Sequence, residues 1–449
     1  MENLKHKIGW KTATAIVISN MIGTGVFTTL GFQVVELQNT ITIFLLWFIG
    51  GVLALFGAFC YAELGTFFKG NGGDYIYLSK TYHPILGYLS SWISLVIGFS
   101  SPVSLAALAM AKYLSVFQGD FGALFAIAVI LLVALALSFS ISISGKFHNF
   151  FTFIKVSFVV VLIIIGVLLS QNPIHTSLNF GNSWEQEILL PAFATSLVFV
   201  TYAYTGWNSA SYIAGEINKP QKNLPKSLII GTVFVTFCYV FINYIMLKHA
   251  PIEALKGKED IMGIAANYMF GSTFGKIVNV FIALQLVATI SGYLWVGSRI
   301  TQATASENKL CSFLAVKNKK NIPVRAIFAH AIIAIIIIST GSFKQIFLYT
   351  AFVLQLLSTL AISTAFFLKK SDRKLFKSNL FYVFPTIFVL FSGYILYFTF
   401  INNPKESIIG LVIVIIRIQL YLFDKQIPKY LEEKYNLITA KKKDSTGIC

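Results

Sequence analysis

Apolar runs of about twenty residues recur along this chain, and they constrain the fold more than any other feature. A run of that length crosses the roughly 30 Å hydrocarbon layer of a bilayer as a helix, because lipid offers no partner for a free backbone N–H or C=O. Twelve runs meet the criterion, over 12–35, 40–64, 85–113, 121–143, 147–169, 189–215, 227–247, 274–301, 324–339, 346–368, 380–401 and 408–423, the ninth being the shortest. Charged residues make up 12% of the 449, against about 25% in soluble domains. The expected fold is therefore an all-α integral membrane protein with twelve transmembrane helices. The run after the basic stretch Met1–Gly9 is too long for a signal-peptide core, so it is expected to be retained as the first span. Cys60, Cys238, Cys311 and Cys449 are scattered and show neither a disulfide framework nor a metal-binding spacing; no metal or cofactor is expected.

A net charge of +17 could suggest a nucleic-acid partner, but its distribution argues against one. Lysines and arginines concentrate in alternate connections, such as Lys219, Lys222 and Lys226, or Lys369, Lys370, Arg373, Lys374 and Lys377, while Gln171–Glu187 has none. By the positive-inside rule both termini are cytoplasmic, as an even number of spans requires. One connection resists, because Lys248, Lys256 and Lys258 fall on the outer side. Arg417 inside the last span is expected to snorkel to the inner interface. The basic tail after Asp424 is expected to be solvated and within reach of anionic lipid headgroups.

Two runs are interrupted where an unbroken helix would want neither glycine nor a polar cluster. Ser19-Asn20-Met21-Ile22-Gly23-Thr24-Gly25-Val26-Phe27 breaks the first, and Thr201-Tyr202-Ala203-Tyr204-Thr205-Gly206-Trp207-Asn208-Ser209 breaks the sixth. At 1.5 Å per residue, Gly23 lies about 18 Å beyond Lys11 and Gly206 about 15 Å before Glu216, so both breaks sit near the bilayer midplane. Two readings of Gly-x-Gly compete: close packing of a neighbouring helix, or an unwound binding segment. Five spans separate the starts of the two broken helices, so they run in opposite directions, the layout of an inverted-repeat transporter. The implied division is a cytoplasmic segment 1–11, repeats over 12–170 and 188–369, two further helices over 380–424 and a cytoplasmic tail 425–449. Lys155 lies nine residues beyond Lys146, about 13 Å into the bilayer, where an ionisable side chain is a candidate functional residue, against a lysine whose stem packs while its head snorkels inward.

Four stretches resemble the amino acid, polyamine and organocation transporter superfamily, within it the L-type amino-acid transporter branch and its bacterial relatives. They are Ile22–Phe27; Tyr61–Leu64 followed by Gly72–Leu78 and Tyr82-His83-Pro84; Phe151–Lys155; and Tyr202–Asn208 followed by Glu216–Pro225. The resemblance implies a LeuT-like five-plus-five inverted repeat with two C-terminal helices. It also implies that backbone N–H groups around Ile22, Gly23, Thr24 and Gly25 hold a substrate carboxylate, helped by the dipole of the half-helix that follows, while carbonyls around Tyr202, Ala203, Thr205 and Gly206 take the ammonium. Lys155 would bridge the first and fifth helices, as a gating or coupling residue. Asn208 matches a position near the site, and Trp207 or Tyr202 would act as an aromatic gate, against plain packing for each. The loop from Gly72 to Tyr82 is expected to be architectural. Leu30, Ser291-Gly292 and the connection Glu307–Asn321 depart from the family pattern.

The expected function is secondary transport of an amino acid by alternating access, as exchange or proton-coupled symport. A polyamine or organic-amine antiporter is the nearest alternative; a dication would want a carboxylate in the pocket, and the sequence places none at that depth. Ser100, Ser101, Gln285, Ser291, Gln355 and Ser358 are candidates for the side-chain pocket. A membrane-embedded enzyme would need His, Asp, Glu or Cys clustered at one depth, and a channel would need polar rings; neither pattern is visible. No Gly-Lys-Ser phosphate loop occurs to support ATP drive.

Overall fold

The computed structural model describes residues 8–68, 70–114, 120–139, 141–170, 177–305, 312–416 and 418–419, with backbone alone at 120 and 141–151. Arg417, the tail after Asp424, Cys311, Cys449 and the start of the Glu307–Asn321 connection lie outside the described residues. In chain order the helices are α1 (Trp10–Met21), α2 (Thr24–Thr28), α3 (Leu30–Gln33), α4 (Thr40–Phe67), α5 (Asp74–Thr81), α6 (Pro84–Ile93), α7 (Ser101–Leu114), α8 (Asp120–Leu137), α9 (Ile141–Leu168) and α10 (Trp184–Glu187). They continue as α11 (Pro191–Ala203), α12 (Pro220–His249), α13 (Ile252–Leu255), α14 (Ile261–Ala305), α15 (Val324–Ile338), α16 (Phe343–Ser363) and α17 (Val383–Asn402), with a further helix over 404–416.

Among the described residues six helices are long and apolar enough to cross a bilayer: Thr40–Phe67, Pro84–Leu114, Pro220–His249, Ile261–Ala305, Phe343–Phe367 and Asn379–Asn402. Four shorter apolar helices accompany them, Phe121–Leu137, Thr152–Leu168, Pro191–Ala203 and Val324–Ile338. Leu132, Phe153, Leu168, Leu390 and Tyr397 are exposed on their outer flanks, a surface that suits lipid and not water.

Local chemistry sets the helix ends. Asn39 caps α4 by accepting from the Ile41 N–H at 2.8 Å, and Ser342 with Gln345 forms a reciprocal capping box on α16. A short helical segment from Ile261 precedes the eighth span. Gly271, at φ 80°, kinks α14 and lets a first segment from Ile261 precede the expected start at 274. In the third span the α-helix gives way over Ser94–Ser100 to a π-helical turn, which the apolar sequence does not announce.

α12 is the central post, packing along α1 on one side and α4 on another, while α14 packs along α7. Ile8 at the head of the first span bridges Ile217 at the foot of the sixth: the Ile8 N–H donates to Glu216 O at 3.0 Å, and the Asn218 N–H donates to Ile8 O at 2.9 Å. The start of one broken span and the end of the other therefore share one face of the protein.

The awkward outer lysine also finds a place. Lys248 is buried, and its ammonium donates to the carbonyls of Val167 at 2.8 Å and Leu169 at 2.7 Å, with Gly166 at 3.3 Å. It neutralises the carbonyl-rich end of α9, so its charge is spent inside the fold and says nothing about orientation.

Candidate functional site

Both interruptions are present in the backbone. α1 stops at Met21, Ile22 is extended, Gly23 adopts φ −138° and ψ −148°, and helix resumes at Thr24. α11 stops at Ala203; turns carry the chain through Gly206, whose φ of 106° suits only glycine, before a 3-10 helix from Ser209 to Glu216.

The two breaks touch. A Cβ added at Gly25 would lie 2.5 Å from the Ala203 Cα, and one added at Gly206 would lie 2.7 Å from the Asn20 backbone carbon. Gly25 and Gly206 are thus glycines of close approach. Gly23 is different: its missing Cβ would meet only the Met21 carbonyl, at 3.9 Å. The packing reading of Gly-x-Gly holds for its second glycine, while its first faces open space.

Breaking a helix in lipid leaves carbonyls that need donors, and two side chains from elsewhere supply them. Lys155, buried in α9, donates to the Ile22 carbonyl at 2.8 Å and to the Thr289 hydroxyl of α14 at 3.0 Å. It joins the first, fifth and eighth spans, one more than expected from the sequence. Ser19 and Thr152 add a second link between the first and fifth at 2.9 Å. Tyr239 of α12 shares its hydroxyl proton between the Met21 carbonyl at 2.5 Å and the Ala203 carbonyl at 3.0 Å, tying both breaks to the central post. Sequence reading missed Tyr239, because nothing in a run of Tyr, Phe and Ile marks one phenol as facing two distant carbonyls.

A cavity of about 620 Å³ runs from the second break to the face that carries Ile8. Tyr202, Thr205, Gly206, Trp207 and Asn208 line it; from the first span the wall comes from Ile16 and Asn20. Ile22, Gly23, Thr24, Gly25, Ala203 and Lys155 are not among its lining residues, though the Thr24 hydroxyl lies against the phenol of Tyr202, which is one of them. Gln355 and Ser358 also face the cavity, as do Gly98, Phe99 and Tyr293. Ser100, Ser101, Gln285 and Ser291 are buried in helix packing instead; Ser100 pairs with His330 Nδ1 at 2.9 Å.

Beyond Tyr202 the path is closed by aromatic rings. Tyr202 lies 4.2 Å from Phe347 between ring centroids, and Phe199, Phe32 and Phe343 continue the stack. Trp207 packs edge-on to Tyr61 at 4.8 Å and fills the notch left by Gly57. At the open end two carboxylates appear on the wall, Asp74 and Glu216, away from the depth of the breaks, where the sequence places none. The loop 72–82 is accordingly both architecture and cavity wall. Asp74 Oδ1 accepts from the Tyr61 hydroxyl and Oδ2 from the Tyr212 hydroxyl at 2.7 Å, fastening the loop to the second and sixth spans. Burial pushes the Asp74 carboxyl up, and the two phenol hydrogen bonds oppose that shift. Glu63, at the inner edge of α4, is buried and accepts from the backbone N–H groups of Lys374, Leu375 and Phe376. Its role is to hold a connection in place.

The family profile described as amino acid permease matches residues 8–422, nearly the whole chain and both broken spans. The chain belongs to the amino acid permease family. Among relatives, the b(0,+)-type amino acid transporter 1 of Homo sapiens is 29% identical over 439 residues, covering 94% of this permease and 88% of that protein. The same transporter of Oryctolagus cuniculus is 30% identical over 364 residues, 78% and 73% of the two chains. The large neutral amino acids transporter small subunit 2 of Homo sapiens is 28% identical over 457 residues, 97% and 84% of the two. The family is one of amino-acid transporters and not of enzymes.

Proposed function

We propose that this permease moves an amino acid by alternating access, with the substrate held where the two broken helices meet. The observation that carries the reading is the contact between two interrupted helices at one end of a cavity, a junction that the helix rise puts near the bilayer midplane. The substrate carboxylate faces the N–H groups of Gly23, Thr24 and Gly25, on the unobstructed side of Gly23, while the ammonium takes carbonyl lone pairs around Tyr202, Ala203 and Thr205. In the full reading the chain has twelve spans, with inverted repeats over 12–170 and 188–369. The shared face of Ile8 and Glu216 supports opposite directions for the first and sixth spans. The open face is cytoplasmic by the positive-inside rule, and the membrane is the cell membrane. Tyr202 and the Phe347 stack form the outer gate. Lys155 couples occupancy of the first break to the fifth and eighth spans, in exchange or in proton-linked uptake.

The wall carboxylates Asp74 and Glu216 favour a second reading in which cationic amino acids or organic amines are also carried. Proteoliposomes preloaded with labelled leucine test both. Release driven by external neutral amino acids supports the first reading, and release driven by arginine or putrescine adds the second. Absence of release with every amino acid of a broad panel contradicts the proposal.

A further inference from the structure

At the open end of the cavity the wall carries two opposite charges, Arg299 and Glu216, that the binding of substrate at the broken helices does not use. Arg299, on the last turns of α14, lies with its guanidinium 4.2 Å from the centre of the Trp295 ring. Glu216 closes the 3-10 helix after the second break, and its Oε1 accepts from Asn71 Nδ2 at 3.1 Å. Both side chains are exposed, and both line the same cavity. The Glu216 carboxylate acts electrostatically on Arg299, yet among the described residues no ion pair joins them.

Each group is held from its own side. The face of Trp295 holds the guanidinium by a cation–π contact, and a guanidinium fork can take a carboxylate bidentately. The Asn71 hydrogen bond and the backbone bridge from Ile8 to Glu216 fix the other wall. An arginine that only marked the membrane interface would need neither the ring nor a facing carboxylate.

We propose that Arg299 and Glu216 form a second zwitterion subsite at the cavity mouth, where Arg299 takes the carboxylate and Glu216 the ammonium of an α-amino acid entering or leaving the junction of the broken helices. The subsite rests on the transport reading and extends it. A substrate leaving the peptide dipoles at the midplane would meet side chains of the same charge order before reaching water, which lowers the barrier to release and raises capture from that face.

Sided kinetics test this. Full-length protein is reconstituted in proteoliposomes of defined orientation, and leucine exchange is measured with substrate varied on one face at a time. Arg299→Gln and Glu216→Gln should each raise KM at the mouth face about fivefold, the weight of a solvent-exposed charge contact, while KM at the opposite face stays unchanged. Arg299→Lys keeps the charge without the fork and should fall between. Leucinamide, which lacks the carboxylate, should compete poorly with leucine at the mouth face of wild type, and Arg299→Gln should narrow that discrimination at the mouth face alone, the remainder coming from the N–H groups at Gly23 to Gly25. Shifts of equal size on both faces, or none, would overturn the subsite while wild-type exchange left the transport reading standing. Failure of wild type to exchange any amino acid would remove both.

Discussion

Placing a methyl group on Gly25 should separate the two broken helices, and the structure sets the scale. The new Cβ would fall 2.5 Å from the Ala203 Cα and 2.6 Å from its Cβ, where carbon atoms sit at about 3.5–4.0 Å. The helices must part by roughly 1 Å, an overpacking cost of about 1–3 kcal/mol. Up to about 1 kcal/mol is recovered, because alanine favours the helical backbone that Gly25 already has in α2. The net loss of stability is therefore about 0–3 kcal/mol. Function should suffer more. A shift of that size pulls Met21 or Ala203 away from the Tyr239 hydroxyl, which reaches both only while the breaks are in contact. A 1 Å misplacement of a binding constellation can cost about 100-fold in rate. Gly23→Ala is the control, since its Cβ meets nothing closer than 3.9 Å. Leucine exchange in proteoliposomes and the thermal midpoint of the detergent-solubilised protein should both be measured. The expected pattern is a loss of exchange of tenfold or more for Gly25→Ala with a modest fall in midpoint, and a wild-type midpoint for Gly23→Ala. A Gly25→Ala protein that exchanges leucine at the wild-type rate would refute the contact between the breaks.

Three further outcomes are expected. Lys155→Ala leaves the Ile22 carbonyl without its donor, costing about 1–3 kcal/mol in midpoint stability, and should abolish or uncouple exchange while insertion is normal; unchanged exchange kinetics and pH dependence would remove Lys155 from the mechanism. Lys248→Met uncaps the end of α9 and should lower stability by about 1–2 kcal/mol without altering the leucine KM, so a selective KM change would contradict the capping role. Asp74 titrates above its ordinary 3.8 because it is buried, so the folded state binds its proton more tightly than the unfolded chain does. Its contribution to stability is present below pH 3.8 and is lost as pH rises through the folded value. The wild-type midpoint should therefore fall with rising pH relative to that of Asp74→Asn, and a relative rise would reverse the assignment.

The features legible in the sequence are those in which lipid forbids what the residues do. Gly and polar clusters inside apolar runs mark candidate breaks, with close helix packing as the rival, and Lys155 deep in the bilayer calls for polar partners, so both stand out before any fold is known. Partners brought from other spans leave no such mark. Tyr239 is one phenol among 20 tyrosines, and its two acceptors are far away in sequence. Arg299 hides in the last turns of an apolar run, where it reads as an ordinary interfacial charge. The π-helical turn over Ser94–Ser100, packed against α14 and α15, also has no counterpart in the apolar pattern of its run. Lys248 misleads in the other direction, because topology rules count charges and cannot tell one consumed by helix carbonyls from one facing water.

The central claim concerns where the substrate sits. An experimental map of the protein with a bound amino acid tests it most directly. The account predicts density between Gly23 and Thr205, with the carboxylate toward the Thr24 and Gly25 N–H groups and the side chain toward Tyr293 and Gln355. Density remote from both breaks, or continuous helix through Gly23 and Gly206, would contradict it.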